Sequence, residues 1–257
     1  MTDIYQEIVR IKAEGKEAAL VTVVLATGST PREEGAKMLV RADGSILGTI
    51  GGGSLEAQVI EEAVKVIKQG KPKRLHFALT AKEAEEVGMV CGGELEVFIE
   101  PILTPPTLYL FGGGHISLPL AKVGKLLGFK IVVIDDRAEF ANADRFPETD
   151  IVLTGDFSKS FPKLKMDKSS YIVIVTRGHQ HDELVLEWAV GTSAKYVGMI
   201  GSKTKVKTIF SHLLAKGITN QQLDRVHAPI GLEINAQTPE EIAISILAEI
   251  VKVHRSP

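Results

Sequence analysis

Residues 107–136 read TLYLFGGGHISLPLAKVGKLLGFKIVVIDD, an order of apolar and small residues that few folds accommodate. An apolar run at 108–111 leads into Gly112, Gly113 and Gly114. A helix-period segment with Ile116, Leu120, Val123 and Leu127 follows, then a second apolar run at 131–134 that ends on Asp135. Strand, glycine turn, helix and strand in this order make a βαβ nucleotide-binding unit. Glycines let the backbone approach a pyrophosphate, and the helix N-terminus offers free N–H groups. An acid about 20 residues further on accepts a ribose hydroxyl.

The dinucleotide fingerprint places glycine first, third and sixth. Here the sixth place is Ser117, small enough for the helix still to approach the sheet. Two readings stand side by side: the glycines seat a dinucleotide, or they only make the turn of a Rossmann-type domain. Arg137 follows the acids and suits an extra phosphate, so NAD and NADP both stay open. His115, where the helix begins, either hydrogen-bonds a phosphate or carboxylate or caps the loop.

The rest of the second half alternates in the same way. Apolar strands are expected at 151–153, 171–176 and 196–200, with helices near 181–190 and 203–216. Continuous apolar strands between helices predict a parallel sheet covered on both faces. Thr238, Pro239 and Glu241 form a helix start, with Ile242, Ile246, Ile250 and Val253 on its inward face. Pro101, Pro105 and Pro106 bracket a stiff segment that separates this half from what precedes it. The expected domains are therefore 1–103 and 107–257.

The first half reads differently. A helix near 3–14 precedes strands at 19–26, 37–41 and 45–50, the last two joined by an Ala42-Asp43-Gly44 hairpin signal. A helix over 55–68 carries Leu55, Val59, Ala63 and Val66 on one face. Strands at 74–79 and 94–100 complete an α+β pattern. The fold class is thus α/β, a C-terminal Rossmann-like domain with a parallel sheet preceded by a smaller α+β domain.

Several further residues suit a ligand. Gly51, Gly52 and Gly53 make a second strand–glycine–helix junction fit to receive an anion, or else a plain turn. Cys91 stands among glycines, with Gly92 and Gly93 after it, just before a strand. A thiolate there is a soft ligand for a transition metal, and the bland alternative is a buried, inert thiol. Arg177, Gly178, His179, His181 and Asp182 follow an expected strand of the parallel sheet, where such sheets bind ligands. A polar, ligand-facing loop fits these residues better than a metal site, and Asp182 can simply begin the next helix.

Composition excludes several classes. A net charge of −2 gives no footprint for nucleic acid. The single cysteine excludes an intramolecular disulfide, and no run approaches a membrane span or a signal peptide. A cytoplasmic protein in a reducing compartment is expected.

Taken in order, the motifs resemble the XdhC/CoxI family of xanthine dehydrogenase accessory proteins. The first half carries VTVVLATGSTPREEGAKMLV, GTIGGGSLE and VCGGELEVFIEP. The second carries LFGGGHIS, VVIDDRAEFANADRFP, TRGHQHDE, YVGMIGSKTKV and HAPIGLEINAQTPEEIAISILAEI. The resemblance implies transient binding of molybdenum cofactor (molybdopterin) during its sulfuration by a cysteine desulfurase. Delivery to an apo-xanthine dehydrogenase-type enzyme then follows. It makes Cys91 the contact to molybdenum or its dithiolene, and Gly51–Gly53 and Gly112–His115 the phosphate cradles. Related sequences often carry the name of a xanthine dehydrogenase component, so an oxidoreductase label need not mean that this chain performs the redox step. A homodimer is expected, its interface serving as a lid. One departure is Asn235, where relatives have glycine; asparagine is the next best residue for a positive φ. Two rivals remain: an NAD(P)-dependent oxidoreductase, and a structural subunit of the dehydrogenase.

Overall fold

The computed structural model describes residues 3–28, 30, 32–79 and 93–256. The chain divides into two compact units, Met1–Thr104 and Pro105–Pro257.

In the first unit, helix α1 (Ile4–Ala13) precedes strands β1 (Ala18–Gly28), β2 (Lys37–Arg41) and β3 (Ile46–Gly48). Helix α2 (Gly53–Gln69) and strands β4 (Lys73–Leu79) and β5 (Gly93–Ile102) follow. The strands pair antiparallel in the order β3-β2-β1-β5-β4. Alternation along each strand gives the sheet two apolar faces. Helix α2 covers one, packing Leu55, Val59, Ala63, Val66 and Ile67 over Val21, Met38, Val40, Leu95 and Val97. Helix α1 covers part of the other, where Ile11 meets Ala18, Leu39 and Ile102. β3 stops short of the expected 45–50, because Thr49 and the Ile50 amide bond the Glu56 side chain.

Helix α1 is tied to the sheet by charge as well as by Ile11. The buried Glu7 carboxylate accepts from Arg10 Nη2 at 2.7 Å and from Arg41 Nη2, on β2, at 2.9 Å. Those guanidinium hydrogen bonds, Arg10 first, hold its carboxyl down to about 2.

The second unit is a parallel sheet between two helical layers. Its strands are β6 (Thr107–Phe111), β7 (Lys130–Asp135), β8 (Ile151–Thr154), β9 (Ser170–Ile174), β10 (Tyr196–Met199) and β11 (Val226–His227). They lie in the order β8-β7-β6-β9-β10-β11, every pairing parallel. Numbered within the unit this is 3-2-1-4-5-6, the doubly wound Rossmann order, whose direction reverses between β6 and β9. The helices are α3 (Ser117–Leu126), α4 (Phe157–Ser160), α5 (His179–Ala189), α6 (Lys203–Ala215), α7 (Asn220–Leu223) and α8 (Pro239–Arg255).

Helices α5 and α6 cover one sheet face through Val185, Leu186, Ala189, Val206, Ile209 and Leu213. Helices α3 and α8 cover the other through Leu120, Ala121, Ala243, Ile246, Leu247 and Ile250. Burial on both faces explains why the central strands read as unbroken apolar runs. Thr238 caps α8 with a full capping box closed by Glu241, and Pro239 opens the helix. Asn235, in the loop before it, takes φ 58°, the left-handed conformation anticipated for glycine's replacement.

Glu7 makes the first unit acid-sensitive. Its folded pKa lies below its unfolded value, so its stabilisation is present above about pH 4.5 and fades as pH falls toward 2. Chemical denaturation of wild type and Glu7→Gln between pH 2 and 7 should show a shallower acid limb in the variant. Parallel limbs would remove Glu7 from the account.

Candidate functional site

The glycine junction of the first unit is internally satisfied. Gly51, Gly52 and Gly53 all take positive φ (135°, 81° and 69°), so the sequence GGG here is a backbone requirement. Glu56 reaches back from the first turn of α2. Its Oε2 accepts the Ile50 amide at 3.0 Å, the Gly52 amide at 3.2 Å and the Thr49 hydroxyl. The Gly51 amide donates to Thr49 Oγ1 at 3.0 Å. Burial pushes the Glu56 carboxyl up, but the Thr49 hydroxyl and the loop amides outweigh it and hold it below the usual range. Amides 50–52 thus already have acceptors, which leaves an incoming anion the N–H groups of Gly53 and the residues after it. Gly93 opens β5 opposite Gly28. Cys91 and Gly92 lie outside the described residues.

In the second unit Gly112, Gly113, Gly114, His115, Asp135, Arg137, Arg177 and His179 gather at the carboxyl ends of β6, β7 and β9, the switch point of the sheet. The glycines there serve different neighbours. A Cβ on Gly112 would stand 2.4 Å from the Val175 carbonyl oxygen, and one on Gly113 would stand 2.1 Å from that of Phe140. Both are required by the protein's own backbone on either side. Gly114 meets nothing within 4 Å, so it is the glycine with open space in front of it. Ser117 is fully buried and its hydroxyl donates to the Gly112 carbonyl, closing the turn from within.

Asp135 holds this turn to β7. Its Oδ2 accepts from the Gly113 amide at 2.8 Å and from Arg137 Nη2 at 3.1 Å. Its Oδ1 accepts from the Arg137 amide at 3.0 Å and from Arg137 Nε at 2.9 Å. A carboxylate has about four acceptor sites, and these are filled. Burial pushes the Asp135 carboxyl up, but the Arg137 guanidinium and the Gly113 and Arg137 amides hold it below the usual carboxylate range. Arg137 lies over the Phe140 ring, 3.7 Å from its centroid, which commits its guanidinium to this corner. Arg145 Nε donates to the Gly113 carbonyl at 3.1 Å. The segment after β7 is therefore folded onto the glycine turn.

What the turn leaves free lies on its other side. Gly112 and Gly113 donate to the Ile134 carbonyl and to Asp135, whereas the amides of Gly114, His115 and Ile116 have no partner among the described residues. This three-amide edge sits ahead of α3, where the helix dipole favours negative charge. His115, within this edge, and His179, at the start of α5, are both exposed. Asp182 is fully buried and serves the loop rather than a ligand. It accepts from the Thr176 amide at 3.2 Å, the Thr176 hydroxyl at 2.7 Å and Lys205 Nζ. Diverting the Thr176 amide to Asp182 ends β9 at Ile174 rather than at 176. Among the described residues no trio of His, Cys, Asp and Glu could hold a metal ion.

Sequence reasoning passed over Asp136, Phe140, Arg145 and Glu56. Asp136 Oδ1 and Arg145 Nη2 are the buried side-chain polar atoms without a partner among the described residues, and both flank the glycine turn. Such an atom costs on the order of 1–3 kcal/mol. The doubled acid of IDDR was the available signal for Asp136; nothing local marks the other three.

Comparison with known proteins comes to the same two units. A family described as the XdhC Rossmann domain matches residues 108–250, and the XdhC and CoxI family matches residues 11–78. The uncharacterized protein YqeB of Escherichia coli is 37% identical over 98% of this chain and 46% of its own length. A probable xanthine dehydrogenase subunit from Bacillus subtilis is 29% identical over 62% of this chain and 46% of its own. The molybdenum cofactor insertion chaperone PaoD of E. coli is 23% identical over 98% of this chain and 90% of its own. The chain spans about half the length of the first two of these curated relatives. A crystal structure of a xanthine dehydrogenase from Bacillus halodurans shares the fold, with TM-score 0.53 and 23% identity over 99% of this chain and 96% of the other.

The glycines separate by function in a stability measurement. Gly113→Ala should cost about 3 kcal/mol or more, because the Phe140 backbone cannot move aside. Gly114→Ala should stay within about 0.5 kcal/mol of wild type. Equal denaturation midpoints for the two variants would contradict this assignment.

Proposed function

Because the chain belongs to the XdhC and CoxI family, we propose that it is an accessory protein that binds molybdenum cofactor and hands it to a xanthine dehydrogenase-type enzyme. The cofactor is cargo here, a phosphorylated pterin dithiolene carrying molybdenum. The observation that carries the reading is the amide edge of Gly114, His115 and Ile116 at the switch point, unpartnered among the described residues, which fits the phosphate of such a ligand. The alignment with a molybdenum cofactor insertion chaperone over 98% of this chain supports the same reading.

In this reading Cys91, with Gly92 and Gly93, contacts the molybdenum or its dithiolene. Of the two glycine runs, Gly53 and then Gly114 and His115 supply the backbone donors, Gly51, Gly52, Gly112 and Gly113 shape the turns with their own amides already bonded, and His179 borders the phosphate. A cysteine desulfurase exchanges the molybdenum oxo ligand for sulfido while the protein holds the cofactor. A homodimer shields the cargo in the cytoplasm, and the apo-dehydrogenase receives it. No residue of the chain needs to act as a general acid or base.

A second reading, an NAD(P)-dependent oxidoreductase, draws on the 3-2-1-4-5-6 strand order. The filled acceptor sites of Asp135 weigh against it, because no lone pair is left there for a ribose hydroxyl.

Purified protein loaded with molybdenum cofactor and desalted should retain molybdenum and pterin together. Cys91→Ala should retain at least about tenfold less, the loss of one soft metal contact. Equal and negligible retention by both proteins would sink the proposal. Thermal-shift titration with NAD and FAD, which carry no phosphate monoester, should leave the melting temperature unchanged; a shift of several degrees with turnover of a reducible substrate would favour the oxidoreductase.

A further inference from the structure

The crevice above β6 is spanned by one ion pair. Asp136 is the residue after β7 and Arg177 lies three residues beyond β9, and β6 runs between those two strands. Strands two places apart are separated by about 9.5 Å, yet Arg177 Nη2 reaches Asp136 Oδ2 at 2.6 Å. The contact therefore closes over the carboxyl end of β6. Its two anchors flank the glycine turn. Asp135, next to Asp136, accepts the Gly113 amide, and Val175, two residues before Arg177, donates its amide to Phe111 and lies against Gly112.

This pair is incompletely satisfied. Asp136 Oδ1 is buried without a hydrogen-bond partner among the described residues. The other side-chain nitrogens facing the carboxylate stand off, with Arg137 Nε at 3.8 Å and His181 Nε2 at 3.9 Å. The Arg137 guanidinium is committed to Asp135. Arg177 is different: its side chain is 50% exposed and Asp136 is its one carboxylate partner among the described residues. It has donors to spare at the same end of the sheet as amides 114–116, which have no partner among the described residues.

We propose that Arg177 is the residue that recognises phosphate in this crevice, and that Asp136 occupies it as an internal competitor which a phosphate monoester displaces. The inference rests on the reading of this crevice as a phosphate seat. A guanidinium leaves one carboxylate for a dianionic phosphate held in addition by backbone amides, so the exchange is charge-assisted on both sides. No lone pair of Asp135 takes part, which makes the determinant the phosphate itself and not a ribose beside it.

Isothermal titration of the full chain at low salt tests this with AMP and with glycerol 3-phosphate. Asp136→Asn, which keeps the shape and removes the competing charge, should bind both probes about tenfold more tightly than wild type. Arg177→Gln, at an exposed position that threatens no packing, should bind both at least tenfold more weakly, and the double variant should behave like Arg177→Gln. Affinity in Asp136→Asn equal to or below that of wild type would overturn the proposal. So would undiminished binding by Arg177→Gln, a gain confined to AMP, or no binding by wild type and Asp136→Asn alike. Molybdenum retention by Cys91 plays no part in this titration, so the two readings fail separately.

Discussion

The carboxylate of Asp135 is the group on which the glycine turn of the second unit depends. It terminates β7, fixes the Gly113 amide and orients Arg137 by its backbone and its guanidinium at once. Removing this one group would free the glycine turn, release the segment that carries Phe140 and Arg145, and leave a guanidinium half-buried without its partner. The charge is kept because four donors surround it, more than offsetting the burial that would otherwise favour its neutral form. The turn that carries amides 114–116 is therefore held from its β7 side, by a carboxylate that makes no contact with those amides.

The first unit uses the same device with different parts. There Glu56 reaches back from α2 to collect the amides of Ile50 and Gly52 and the hydroxyl of Thr49. In each unit a glycine-rich strand-to-helix turn is stabilised by a carboxylate of the protein itself. The consequences differ. Glu56 places a negative charge within the turn where an anion would arrive, whereas Asp135 stands on the β7 side and leaves the α3 side free. Two junctions that look alike as strings of letters are thus electrostatically unlike.

How far the sequence could be read follows from the range of the forces involved. Strand and helix positions came through because they are set by local periodicity: the apolar runs of β6, β7 and β9 and the Leu55, Val59, Ala63 and Val66 face of α2 all bury as their patterns require. Asn235 was legible too, because a positive φ constrains residue type at a single position. The misjudged ends have long-range causes. β3 and β9 stop early because Glu56 and Asp182 take amides that would otherwise extend those strands. Short α4 and α7 and the two-residue β11 carried no periodic signal, being too brief to show one.

The amino-acid order by itself determined the Rossmann strand pattern, which follows from short-range hydrophobic alternation, and its motifs carried the family resemblance. Which glycine faces open space, which acid is already saturated and which arginine remains available were decided only when distant segments met. Asp135 and Asp136 are neighbours with the same side chain, yet one is enclosed by Gly113 and Arg137 and the other is held by a single arginine from across the sheet. Hydrogen-bond occupancy is a property of three-dimensional neighbours, and no spacing along the chain encodes it.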